Sequence, residues 1–169
     1  MAKLLVTKLA YFTVAIGLPL WLTELTWGQV LTGFFAVHCL GSLIMALVFQ
    51  LAHVVERVEQ PDLNPRGVVE DEWAAHQLRT TANFSRNNRW LGWFVGGLNF
   101  QIEHHLFPGI SHIHYPKLSP LVERTAQEFA LPYHSYLTLR EAISSHRRTL
   151  KTLGTPIPPG RHLEPFILK

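Results

Sequence analysis

The charged residues of this chain are segregated. Between Lys8 and Glu56 the only one is Glu24, and nearly all the basic residues come afterwards. Two apolar runs fill the uncharged stretch, Leu4–Leu22 and Val30–Ala52. Each is about 20 residues or longer, enough for a helix to cross the hydrocarbon core of a bilayer. Gly17 and Pro19 fall inside the first run and predict a kink, which membrane helices tolerate. Lys3 and Lys8 give that run a basic flank like a signal peptide's, but no small-residue cleavage site follows. Thr23 to Trp27 read instead as an interfacial turn with a tryptophan anchor. The turn lacks Lys and Arg while basic residues flank the other ends, so the pattern predicts a transmembrane hairpin with both termini cytoplasmic. His53 falls at the cytoplasmic mouth of the second helix and His38 about four turns deeper. An intramembrane histidine is a functional candidate by default; His38 is read here as a structural hydrogen bond across the helix pair.

Beyond the hairpin the pattern breaks into short pieces. Residues 60–67 (QPDLNPRG) are a proline-rich connector with turn chemistry. Glu70–Leu78 predicts a short helix, and Thr80–Asn88 is polar with several potential caps. Trp90–Phe100 is apolar but too short to span, so it suits an interfacial helix with Trp90 and Trp93 at headgroup level; a buried helix is the alternative. Ser119-Pro120 reads as a helix start running to about Ala130. Thr138-x-x-Glu141 is a capping box opening a helix with Leu139, Ile143, Leu150 and Leu153 in helical register, and Gly154 as its stop. Residues 155–169, with four prolines, predict an extended tail. No strand pattern and no internal repeat stands out. The expectation is an all-α fold: a transmembrane hairpin over residues 1–56, a cytoplasmic helical, His-rich cap over 57–154, and the tail.

Composition sharpens this. The 169 residues carry a formal charge of +3 and ten histidines against a single cysteine, Cys39. No disulfide framework is possible, and the histidine count points to imidazole-rich metal chemistry rather than a thiolate zinc site. No basic stripe with interleaved aromatics indicates nucleic acid. A basic region beside apolar spans reads better as a surface facing anionic lipid.

The candidate chemistry lies in Gly96–Pro108, where Gln101, Glu103, His104 and His105 sit among apolar and aromatic residues. Two buried histidines are costly unless something binds them. On a helix Gln101 shares a broad face with His104 and His105 at i+3 and i+4. His104 and His105 diverge by about 100°, which suits two neighbouring ions, or one ion and a supporting partner. The same spacing also describes a surface His-His pair beside a Pro-Gly turn.

The segment QIEHHLFP (101–108) resembles the third histidine box of the membrane fatty acid desaturases. Gln in place of the first His marks the front-end and related sphingolipid branch. The likeness extends to FQLAHVVE (49–56), to His76-Gln77-Leu78 with TTANFS (80–85), and to His112-Ile113-His114-Tyr115-Pro116, and so covers nearly the whole chain to Gly154. The resemblance implies a centre of two iron ions, with O2 as co-substrate, that introduces a double bond into an acyl chain carried on CoA or on a lipid. It implies His53, His104 and His105 as iron ligands, with Gln101 as a weaker, neutral ligand or an outer partner. His112 and His114 are not primary ligands in that family and are read as supporting or structural. His76, His134, His146 and His162 are read as surface or packing residues. A carboxylate-bridged di-iron bundle would need Glu-x-x-His, and His53-x-x-Glu56 reverses that order. Glu56 and Glu103 are expected instead to orient imidazoles or to pair with arginines.

The family's two earlier boxes, of HxxxH and HxxHH form, do not occur here. The chain therefore resembles the C-terminal half of such an enzyme, whose partners would be the bilayer, a missing N-terminal half, and a separate electron donor of ferredoxin or cytochrome type. Alone it is expected to be inactive. The other readings are a non-catalytic membrane remnant or regulatory half, and a related histidine-box hydroxylase.

Overall fold

The computed structural model describes residues 1–60, 64, 66, 67, 69 and 71–155. Half of the 60–67 connector, Val68, Glu70 and the expected tail beyond Thr155 lie outside the described residues. The chain divides into two compact units, Met1–Ala46 and Leu47–Lys169.

In the first unit α1 (Ala2–Phe12) runs through a π-helical turn, Thr13–Gly17, into α2 (Leu18–Leu22). The wide turn lies where the sequence predicts a kink. Pro19 has no N–H to give and its ring crowds the carbonyl four residues back, and a π turn relieves both problems. Thr26-x-x-Gln29 is a capping box for α3 (Trp27–His53): the Thr26 N–H donates to Gln29 Oε1 at 2.9 Å. Both spans, Ala2–Leu22 and Trp27–His53, are long and apolar enough to cross a membrane. Trp21 and Trp27 are exposed at the turn between them. His38 behaves as the sequence suggests. Its Nδ1 donates to the Phe34 carbonyl at 2.6 Å, and its Nε2 meets the Tyr11 hydroxyl from the facing helix.

The second unit is mostly helical but not all-α. After α4 (Trp73–Thr80) comes a three-residue strand, β1 (Ala82–Phe84), buried along its length. Next are α5 (Arg89–Phe94), α6 (Gln101–Leu106), a 3-10 turn at His112–His114 and α7 (Tyr115–Glu128). Strand β2 (His134–Tyr136) then pairs in parallel with β1, Ala82 opposite His134, and α8 (Leu139–Leu153) ends the described fold. Two further boundaries differ from the sequence expectation. The interfacial segment is helical only to Phe94, where Gly96 and Gly97 turn it at positive φ. Helix α7 starts at Tyr115 with Pro116 in its first turn, because proline at that position sacrifices no helical hydrogen bond. Pro120 consequently lies inside the helix.

Two apolar clusters hold this unit. Val48, Leu51, Val55 and Val58 from the end of α3 and just beyond pack on Ala82, Phe84, Tyr136 and Ala142. Leu78, Ile102, Val122 and Ala126 join α4, α6 and α7. Fully burying side chains of this size contributes about 1.5–3 kcal/mol each, and the second cluster fixes the helix that carries the box.

Candidate metal centre

Helix α6 is anchored from below by polar bonds as well as by Ile102. Asn83, at the centre of β1, accepts the Ile102 N–H at 2.9 Å and donates to Glu103 Oε2 at 2.8 Å. The Tyr133 hydroxyl donates to Glu103 Oε1 at 2.7 Å. Glu103 is wholly buried. Burial raises its carboxyl above the ordinary range, while the bonds from Tyr133 and Asn83 pull the other way. The expectation that Glu103 orients an imidazole is therefore corrected: it holds a strand and a tyrosine. Glu56 does what was expected of an acid beside arginines, pairing with Arg148 through two bonds of 2.7 Å.

The turn before α6 depends on glycine. Gly97 sits at φ +77, and a Cβ there would come 2.6 Å from Cβ of His112. Gly97→Ala should destabilise the protein by about 1–3 kcal/mol, combining a left-handed backbone with a clash. Denaturation of the detergent-solubilised protein measures it, and wild-type stability would refute the assignment.

Three of the four predicted ligands come together. The His53 and His105 rings are 5.0 Å apart between centroids, and those of His104 and His105 5.8 Å. Each ring has its Nδ1 occupied. His53 Nδ1 donates to the Thr80 carbonyl at 3.1 Å, at the end of α4 where helix carbonyls lack intrahelical partners. His105 Nδ1 faces Gln77 Oε1 at 2.9 Å, and His104 Nδ1 lies 3.3 Å from the Tyr115 hydroxyl. A ring that donates from Nδ1 carries its free lone pair on Nε2, the usual arrangement of a metal-binding imidazole. Burial pushes His105 down to about 4, and the neighbouring His53 and His104 push the same way, so it stays neutral at physiological pH. The fourth, Gln101, is completely buried, and neither its amide oxygen nor its nitrogen has a hydrogen-bond partner.

An iron pair held largely by imidazole fits these residues in donor chemistry. The three imidazoles are supported at Nδ1, and the Gln101 amide is buried without a partner of its own. They fit as one wall of a centre: among the described residues no three His, Cys, Asp or Glu side chains form a complete metal group. His112 and His114 are exposed, and neither ring is hydrogen-bonded to the box. His146 is buried, with Nδ1 donating to the Val54 carbonyl at 2.7 Å, so it packs rather than faces solvent. Gln77, Thr80 and Tyr115 lie in segments that carry the resemblance, but nothing in their spacing assigned them a role.

Residues 2–137 match the family described as fatty acid desaturase. The chain belongs to that family. This desaturase segment is 43% identical over 156 residues to the sn-1 linoleoyl-lipid 6-desaturase of Synechocystis sp., covering 91% of this chain and 43% of that protein. It is 44% identical over 128 residues to the acyl-lipid (8-3)-desaturase of Physcomitrium patens, 75% of this chain and 26% of that protein. The sn-1 linoleoyl-lipid 6-desaturase of Arthrospira platensis is 40% identical over 127 residues, 75% and 34% respectively. The chain thus spans less than half the length of these curated relatives. No solved structure matches it. Family membership and the two apolar helices mark the desaturase as a membrane protein.

Beside α6 an apolar groove of about 760 Å³ runs between α4 and α7, lined by Trp73, Leu78, Leu106, Phe107, Val122 and Phe129 among others.

Proposed function

We propose that this chain is the third-box portion of an O2-dependent acyl-lipid desaturase, with His53, His104 and His105 as iron ligands and the Gln101 amide oxygen as a weaker, neutral one. The observation that carries the reading is the set of three imidazoles, His53, His105 and His104, whose Nδ1 atoms are occupied by Thr80, Gln77 and Tyr115 respectively. An unactivated methylene yields hydrogen only to an oxidant stronger than any side chain, and an iron pair activating dioxygen supplies that chemistry when bound. The residues of this chain bind and orient. Thr80 and Gln77 fix which nitrogen of His53 and His105 faces the ion, and burial keeps His105 neutral and able to ligate. The Asn83–Glu103–Tyr133 network holds α6 on the sheet. The groove beside Leu106 and Phe107 falls in the size range of small-molecule sites and accommodates an acyl chain. The names of two relatives give their substrates as acyl chains carried on lipid, and the same carrier is read for this chain. Electrons come from a separate ferredoxin or cytochrome-type donor, and the remaining iron ligands from the upstream half.

The topology follows from the charge pattern: both termini cytoplasmic and the box on the cytoplasmic side. Reporter fusions after Gly28 and after Gly154 should fall in opposite compartments, and finding both on one side sinks the arrangement. The functional reading is tested by grafting the chain in place of the aligned segment of the Synechocystis enzyme and analysing the acyl products. A graft that folds, loads iron and yields no new double bond overturns it.

A further inference from the structure

Helix α8 is turned in an unusual direction. Leu139, Ile143, Leu150 and Leu153 lie in helical register, and such a stripe ordinarily marks the core face. Here the buried positions are Ala142, Ser145, His146 and Thr149. Ser145 Oγ receives the Glu56 N–H at 3.0 Å and bonds the Tyr136 hydroxyl at 2.9 Å, and His146 donates to Val54, so the small polar side is tied inward. Leu139 packs on the core, but the rest of the stripe looks out: Ile143 is 41% exposed, Leu150 49% and Leu153 61%.

Beside that stripe lies a row of cations. At 100° per residue Arg140, Arg147 and Lys151 share one line of the helix, adjacent to Ile143 and Leu150. All three are exposed, and among the described residues none has an acidic partner. The basic residue on the far side is different, since Arg148 is committed to Glu56. The single acid of α8, Glu141, is likewise occupied, by Arg57 and by the Leu137 N–H. An exposed aliphatic stripe edged by unpaired cations combines apolar burial with attraction to anionic headgroups. A purely acidic partner would satisfy the cations but leave the leucines in water.

We propose that the outer face of α8 is a docking surface for anionic lipid: Ile143, Leu150 and Leu153 enter the headgroup–acyl boundary while Arg140, Arg147 and Lys151 meet lipid phosphates. It adds a contact with the bilayer beyond the two apolar spans. The exposed Trp90, Trp93 and Phe94 of α5 belong to the same unit and have the composition of a second interfacial element.

The test uses the full chain with Cys39→Ser, spin-labelled at Leu150→Cys or, on the opposite side, at Thr152→Cys, and reconstituted in vesicles. Both labels replace exposed side chains, so neither disturbs the core. In phosphatidylcholine–phosphatidylglycerol vesicles the label at 150 should be open to oxygen and shielded from an aqueous nickel chelate, while that at 152 stays open to the chelate. Changing Arg140, Arg147 and Lys151 together to Gln should shift the docked-to-undocked ratio by about 100-fold, roughly fivefold per cation. Phosphatidylcholine alone should weaken docking of the parent chain in the same direction. Equal chelate access at 150 and 152 in both vesicles would overturn the proposal. So would protection indifferent to lipid charge and to the triple change. Protection from both reagents with spin–spin broadening would also overturn it, showing a second copy on this face.

Discussion

In a graft of this chain into the Synechocystis desaturase, His105→Ala should abolish desaturation, lowering turnover by more than about 1,000-fold. The expectation rests on how many supports converge on this ring. Its Nδ1 is held by Gln77 at 2.9 Å and its neighbours are His53 and His104. If His105 ligates iron as proposed, removing it takes away a ligand, whereas removing only its support leaves that ligand loosely aimed. Gln77→Ala should therefore cost less, about 10–100-fold in metal affinity or activity, the usual size of an outer-partner effect. His53→Ala and His104→Ala should match His105→Ala. Gln101→His puts a larger ring into a fully buried position, and should give protein that loads iron but turns over more slowly. His114→Ala, at an exposed ring outside the site, should leave turnover nearly intact. Product analysis of the series decides the matter: normal turnover in His105→Ala beside a dead His114→Ala would reverse the site assignment.

The second large effect is on stability. Glu103→Leu should destabilise the protein by about 2–4 kcal/mol, because it removes the buried acceptor of one Asn83 N–H and of the Tyr133 hydroxyl, leaving them only each other and Ser119. Glu103→Gln keeps the shape and an acceptor oxygen and should cost about 1–2 kcal/mol, and Tyr133→Phe about the same. Since the groups share one network, Glu103→Gln and Tyr133→Phe together should cost less than their sum. Denaturant titration of the solubilised protein measures all three. Wild-type stability in Glu103→Leu would show that the network does not anchor α6.

The hairpin and the box were both legible in the sequence, for different reasons. A membrane span is written in one continuous run of residues, so length and missing charge were enough to mark Leu4–Leu22 and Val30–Ala52, which lie within the apolar helices Ala2–Leu22 and Trp27–His53. The box is equally local, and its helix needed only consecutive residues. What escaped notice lies in pairs far apart along the chain. Gln77 meets His105 across 28 positions and His53 reaches Thr80 across 27. The strand pair was invisible because each strand is three residues long with a polar centre, Asn83 or Ser135, and the partners lie 52 positions apart. The partners of Glu103 were hidden for the same reason, since Asn83 and Tyr133 lie 20 and 30 positions away. Helix α8 was found from its capping box, and Thr138 Oγ1 does accept the Glu141 N–H at 3.1 Å. Its register alone did not reveal that Ile143, Leu150 and Leu153 face out while Leu139 packs inward.

The central claim is that these side chains hold iron, and iron content tests it most directly. The purified graft and its His53→Ala/His105→Ala double variant are compared by metal analysis at equal protein, with folding checked by the unfolding transition. The account predicts about two irons per parent molecule and a loss of at least about half in the folded double variant. A folded double variant that retains its full iron would contradict it.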